Sequence, residues 1–326
     1  MRNAYLIMAH DQIDLLDKII DLLDSNENDI YVHLDSKMEN IRKKKCKYSP
    51  IYYIPSMDVR WGAYTQIKLE IELLKTARLL GDYDYYHLIS GHDMPIKSNK
   101  EINAFLEKNY GYEFVSFDEK SDFKNIKNRV EYKHFFQKYY YLLKKGRKQS
   151  LNVICIKILE KICVMTQKIF GKRRLNEIEL KKGANWFSIT EDLVDYVLHN
   201  ENKIKKMYKY SLCGDEVFLQ TLIYNNEKFR KRIYNNNIKC EHDMCLRCID
   251  WDRGSPYTWQ IEDYKYLKNN KNLYARKFDE KVDLKIIDKI YKELMNENEE
   301  SRNNNVFTLS SSPYIPPFFI VKNLVL

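Results

Sequence analysis

Apolar and polar positions follow one another along this chain in blocks, and the period of each block predicts its element. AYLIMAH, residues 4 to 10, is a short apolar run suited to a buried strand, and IDLLDKIIDLL after it repeats its apolar residues at helical spacing. DIYVHLD (29 to 35), IYYIP (51 to 55) and YDYYHLIS (83 to 90) read as further strands. The stretch from Ala63 to Leu80 and NKEINAFLEKN read as helices. Strand and helix in this rhythm predict an α/β fold, a Rossmann-type, mostly parallel central sheet with helices on both faces. Further on, NWFSIT (185 to 190) predicts a strand, EDLVDYVLHNENKIKKM a helix and MCLRCIDW (244 to 251) a last strand. QIEDYKYLKN and a closing stretch around KIIDKIYKELMNE predict two more helices. The folded domain is expected over 1–295, with 296–326 a poorly ordered tail, polar at first and then Pro-rich and apolar.

In parallel sheets the ligand sits beyond the carboxyl ends of the strands. His10 and Asp11 follow the first strand, His33, Asp35 and Lys37 the second, and Gly91, His92, Asp93, Pro95 and Lys97 the fourth. Any one of these is ordinary turn or cap chemistry. Their recurrence at equivalent ends marks one edge of the sheet as a site.

A net charge of +9 favours anionic partners, phosphorylated substrates, nucleic acid or anionic membrane alike. Much of it lies in a basic amphipathic insertion, 139–182, whose apolar stripe runs among Lys144, Lys145, Arg147, Lys157, Lys161 and Lys168. Such a helix either rests on an anionic membrane or packs its stripe on the domain and leaves its lysines solvated. MRNAYLIMAHDQ enters a strand at once, without the cleavage region of a signal peptide, so a cytoplasmic protein is expected, peripheral at most to the inner face of the membrane. The Lys/Asn/Ile-rich composition suggests a bacterial source. Cys240, His242, Cys245 and Cys248 lie too close together for a zinc module built from two separated pairs.

Neither GxGxxG after the first strand nor GxxxxGK[ST] anywhere is present, which disfavours dinucleotide enzymes and P-loop ATPases. Nucleotide-sugar transferases remain, and many of these hold a divalent metal on an Asp-x-Asp pair. Asp82-Tyr83-Asp84 precedes its strand, at the wrong edge. Asp250-Trp251-Asp252 is better placed, but Arg247, Arg253, Arg276 and Lys277 surround it in sequence with positive charge that can itself neutralise a diphosphate. No essential metal cofactor is expected.

In SLCGDEVFLQTLI (211 to 223), Asp215 suits the N-cap of a helix, and Glu216 in its first turn favours the helix dipole. Spacing alone prefers that structural role for both. The order VHLDSK, VRWGAYTQIKLEIELL, YYHLISGHDMPIKS, GANWFSITEDLVDYVLHNE, GDEVFLQTLI, LRCIDW, LYARKFDEKVD, over roughly residues 3 to 290, resembles the core-2/I-branching N-acetylglucosaminyltransferase and peptide O-xylosyltransferase family, glycosyltransferase family 14. The resemblance implies a GT-A-like fold and an inverting, metal-independent transfer from a UDP-sugar to a hydroxyl of a glycan or glycoconjugate acceptor. It implies Glu216 as base beside the cap Asp215, and Arg247 and Lys277 on the diphosphate. Ala9, His10, Asp35 and Asp93, with Arg60, Trp61 and Gly62, fall on the nucleoside and donor side. Acceptor contacts are expected from Glu113, Arg129 and Trp186. N-acetylglucosamine is the first donor sugar expected and xylose the second, although IDWDRGSP replaces the glycine-rich turn of the animal branching enzymes and resembles the xylosyltransferase branch more. Two alternatives stay open, a basic nucleic-acid-binding protein and an inactive transferase-like scaffold. The first lacks any RNP, KH or helix-turn-helix signature, so no nucleic-acid partner is expected.

Overall fold

The computed structural model describes residues 1–118, 123–140, 151–171, 178–234 and 240–310. Its core is a six-stranded sheet in the order β3-β2-β1-β4-β7-β6. The strands are β1 (Asn3–Ala9), β2 (Asn28–Leu34), β3 (Ile51–Tyr53), β4 (Tyr85–Ser90), β6 (Phe114–Val115) and β7 (Phe187–Thr190). β1 to β4 pair in parallel, with Asn3 opposite both Asn28 and Tyr85. β7 runs antiparallel to β4 and to β6. β1 is flanked on both sides and covered on both faces, so nearly every residue of NAYLIMA is buried and the strand shows no alternation.

One face is covered by α1 (Ile13–Leu23), which buries Leu15, Leu16, Ile19, Ile20, Leu22 and Leu23, together with α3 (Asn99–Lys108) and the long helix Leu284–Ser310. The other is covered by α2 (Thr65–Leu80) and the helices Glu191–His199 and Phe218–Tyr224. α3 starts at a capping box, Ser98 with Glu101, that satisfies otherwise orphaned amides. A second, three-stranded sheet stands beside the carboxyl ends of the first: β5 (Asp93–Pro95), β9 (Tyr274–Arg276) and β8 (Arg247–Ile249), in the order β5-β9-β8.

Two expectations change. The helix over EDLVDYVLHNENKIKKM is two helices, Glu191–His199 and Glu201–Tyr208, meeting at Asn200. The expected tail from 296 begins as helix, in the element Leu284–Ser310: Asn298 is buried, donates to Leu22 O and accepts from Asn99 N, so packing carries the closing helix past 296. Residues 311–326 lie outside the described residues. Of the insertion, the helix Leu151–Ile169 is described, and 141–150 and 172–177 lie outside. No described helix is long and apolar enough to cross a membrane.

Candidate active site

The carboxyl ends of β1, β2 and β4 place His10, Asp35 and Ser90 to Asp93 along one edge, as the strand-end rule expects. β7 reaches the same edge with its opposite end. Because it is antiparallel to β4, with Leu88 opposite Phe187, its start lies at the carboxyl end of β4 and brings Lys182 to Trp186 into the site.

Glu216 ends a 3-10 turn, Gly214–Glu216, that precedes the helix Phe218–Tyr224. Its carboxylate is partly exposed and accepts from Arg129 Nη1 at 3.2 Å, with Lys182 Nζ at 4.0 Å. Its main-chain carbonyl accepts from Gly183 N at 2.9 Å. Gly183 has no room for a side chain, since a Cβ there would lie 1.9 Å from Ser116 O, just after β6. Arg129, expected at the acceptor, therefore clamps the carboxylate itself.

Asp215 is not the helix cap. Val217 occupies that position with no side-chain cap, and Asp215 points into the protein, where Gln66 Nε2 donates to its Oδ2 at 3.0 Å and its Oδ1 has no hydrogen-bond partner among the described residues. Burial first, then the charge of Glu216, pushes its carboxyl up from 3.8 to about 7. Glu70 of α2 lies close enough for its charge and that of Asp215 to be coupled. It is fully buried, neither of its oxygens has a partner, and burial likewise raises it well above its ordinary value. Burial favours the neutral form of both inner acids, and Glu216 is the one carboxylate of the three that is partly exposed.

Trp61 stacks on Tyr140 with ring centroids 5.4 Å apart. Gly62 takes a positive φ of 76°, donates to Gln66 Oε1 and accepts from Cys213 N at 2.9 Å, which ties its loop to the turn of Glu216. Arg60 Nε donates to Asp58, and Lys37 joins Asp58 to Asp35. Asp35 is buried and already accepts from Lys37 Nζ, Lys37 N and Val59 N, so it shapes this loop rather than standing open to a ligand.

Three expected site residues belong elsewhere. Arg247 is 0% exposed: it donates to Cys245 O and Leu88 O and lies over the Tyr274 ring at 4.2 Å. The register explains this, because Arg247 is opposite Tyr274 inside the small sheet and Ile249 opposite Arg276 nearer its rim. Asp93 is fully buried and receives Arg276 Nη1 at 2.7 Å and Ser90 N at 2.7 Å, so it anchors a cation and does not face a ligand. Glu113 precedes β6 and pairs with Thr190 N, Thr190 Oγ1 and Arg232, at the end of the sheet opposite the site.

Arg276 and Lys277 supply the positive charge instead. Arg276 is held by Asp93 and Ser90 Oγ and lies over the Trp186 ring at 4.7 Å, so Trp186 supports it from below. Their charges reach the β1 end. Burial, followed in part by His92 and Arg276, lowers the His10 pKa, with Asp11 and Asp35 opposing. Burial raises Asp11, but the His92 hydrogen bond and the charges of His92, His10 and Lys277 outweigh it and hold the carboxyl low. Ala9 is buried and its carbonyl accepts from Asp35 N, so it joins the ends of β1 and β2.

His10, Asp11 and His92 bring their ligand atoms within 4.8 Å of one another, the grouping among the described residues with the spacing to hold a metal ion. Asp11 and His92 show in the sequence only as strand-end polar groups. Arg276 shows only as one of several cations, and its signal was its place beside Lys277 in ARKFD. Asp250 is engaged by the Asp252 and Arg253 amides and the Arg253 side chain, which accounts for the second Asp-x-Asp triplet.

A model of the Core-2/I-Branching enzyme family matches residues 3–271. The chain is 22% identical over 310 residues to a xylosyltransferase of Ciona intestinalis and 22% identical over 312 residues to xylosyltransferase 2 of Rattus norvegicus. It is 21% identical over 309 residues to xylosyltransferase 1 of Homo sapiens. Each alignment covers 88% of this chain and 33%, 33% and 30% of the relative, so the chain spans about a third of the length of the relatives it matches.

Proposed function

Since the chain belongs to the Core-2/I-Branching enzyme family, a glycosyltransferase family, we propose that it transfers a sugar from a UDP-sugar to a hydroxyl of a glycan or glycoconjugate, with inversion at the anomeric carbon. The observation that carries this reading is the pairing of one partly exposed carboxylate, Glu216, with an anchored cation, Arg276, and its chain neighbour Lys277, bridged by the segment from Lys182 to Trp186. A sugar hydroxyl is too weakly acidic to attack at neutral pH unless a base takes its proton as the bond forms. Glu216 takes that proton. The hydroxyl oxygen bonds to the anomeric carbon from the face opposite UDP, and the bond from that carbon to the diphosphate oxygen breaks with its electrons on the diphosphate. Lys277 and Arg276 stabilise that charge, a contribution of about 3 kcal/mol for a preorganised donor. Arg276 stands where Arg247 was expected.

The reaction is proposed to need no metal; His10, Asp11 and His92 are where one would be held. UDP-xylose is the first donor to test because the matched relatives are named xylosyltransferases, with UDP-N-acetylglucosamine second, which reverses the order drawn from the resemblance. Calorimetry against a panel of UDP-sugars, with product detection by mass spectrometry, tests the reading. Glu216→Gln is expected to keep UDP binding and lose transfer by about two to four orders of magnitude. Near-normal turnover by that variant would remove Glu216 as the base. Activity lost to EDTA and restored only by Mn²⁺ would overturn the metal-free account.

A further inference from the structure

The helix Leu151–Ile169 is attached to the protein inside out. None of its residues is buried. Its tethers are polar: Glu160 accepts from His134 Nδ1 at 2.5 Å and from Phe136 N, while Gln167 accepts from Lys133 N and donates to Lys133 O. Leu151, Ile154, Ile158, Ile162, Met165 and Ile169 are all exposed, Leu151 at 81% and Ile169 at 69%. Their spacing of three and four residues puts them on one stripe. At roughly 100° per residue that stripe faces away from Glu160 and Gln167.

Lys157, Lys161 and Lys168 share the flank between the stripe and the tethers. They line a cavity of about 590 Å³ between the helix and Phe136, Tyr140 and Leu212. Among the described residues none of the three forms an ion pair, and the one acid of the helix, Glu160, is engaged with His134. A soluble helix shows the reverse arrangement, apolar side inward and charge outward.

We infer that this helix seats the protein on an anionic lipid surface, with the Leu151 to Ile169 stripe immersed among acyl chains and the three lysines at the phosphate level. Charge decides the occupant. A second copy meeting stripe to stripe would bring lysine flank toward lysine flank with no acid to pair, whereas anionic headgroups complement the row. The seating would place the bilayer beside Tyr140, the ring stacked on Trp61 next to the turn of Glu216. It does not rest on the transfer reading, since vesicle binding is measured without donor or acceptor.

The test is co-sedimentation of the full chain with phosphatidylcholine vesicles, with and without phosphatidylglycerol. Binding is expected to be about a hundredfold tighter to the anionic vesicles, from roughly a factor of five for each of three lysines. The double variant Ile158→Glu, Ile162→Glu should lose binding at unchanged melting temperature and unchanged affinity for UDP. Equal binding to both vesicle types, or full binding by the variant, overturns the proposal. So does a dimer in sedimentation velocity that the variant dissociates while vesicles are ignored, which assigns the stripe to a second copy. A fall of several degrees in the variant's melting temperature assigns it to packing within the chain.

Discussion

Replacing Asp215 by Asn should flatten the fall in stability that the protein shows as pH rises. The carboxyl is fully buried, one of its oxygens is unpartnered, and its pKa is raised from 3.8 to about 7. Between those values the folded protein holds a proton that the unfolded chain has released. Stability therefore declines as pH climbs through that window. The full loss is on the order of 4 kcal/mol, of which about 2 to 3 kcal/mol falls between about pH 5 and about pH 8. Asn keeps an acceptor for Gln66 Nε2 and cannot ionise. His10, His33, His87 and His242, all lowered chiefly by burial, act in the opposite sense and gain stability as pH rises toward 6.5. They are present in both proteins and cancel in the difference. Urea denaturation of wild type and Asp215→Asn at the two pH values, with matched m-values, measures it. The variant's advantage should grow by about 2 to 3 kcal/mol from the lower pH to the higher. Parallel curves would refute the picture of a protonated inner acid and leave Asp215 ionised in its buried position.

Arg247→Met should lower the melting temperature, because two main-chain carbonyls lose their donor, yet leave UDP affinity unchanged in the protein that stays folded; calorimetry separates the two outcomes. Arg276→Gln should weaken UDP binding about tenfold to a hundredfold, and Asp93→Asn should do the same more mildly by freeing the guanidinium, both read by titration with UDP. Gly183→Ala should lower kcat with little change in UDP affinity, since the added methyl must displace the main chain at Ser116.

The main sheet was legible where its strands are long and largely apolar: NAYLIMA and YYHLIS announce themselves and α1 repeats its apolar residues over three turns, whereas the two-residue β6 was not predicted. The small sheet was legible only in part: MCLRCIDW spans β8, but β5 and β9 have three residues each, too few to display a period, so the pairing of β8 with β9 was not legible. Arg247 was misplaced for that reason. Its depth depends on the register against Tyr274, and a cation on a strand reads as solvent-facing until its aromatic platform is known. Glu113 carried its own warning in preceding its strand, the feature by which Asp82-Tyr83-Asp84 was set aside. Glu216 was legible as an acid in a first turn, whereas Arg129, Gln66 and Glu70, which decide its surroundings, are separated from it by more than any helical or strand spacing.

The contact at Gly183 has a consequence for how such a site can change. Glu216 is located by main chain touching main chain, its carbonyl on the Gly183 amide and that glycine against the Ser116 carbonyl. Exposed side chains on the three segments can therefore be exchanged without moving the Glu216 main chain. What this arrangement does not absorb is any side chain at residue 183, down to a single methyl group.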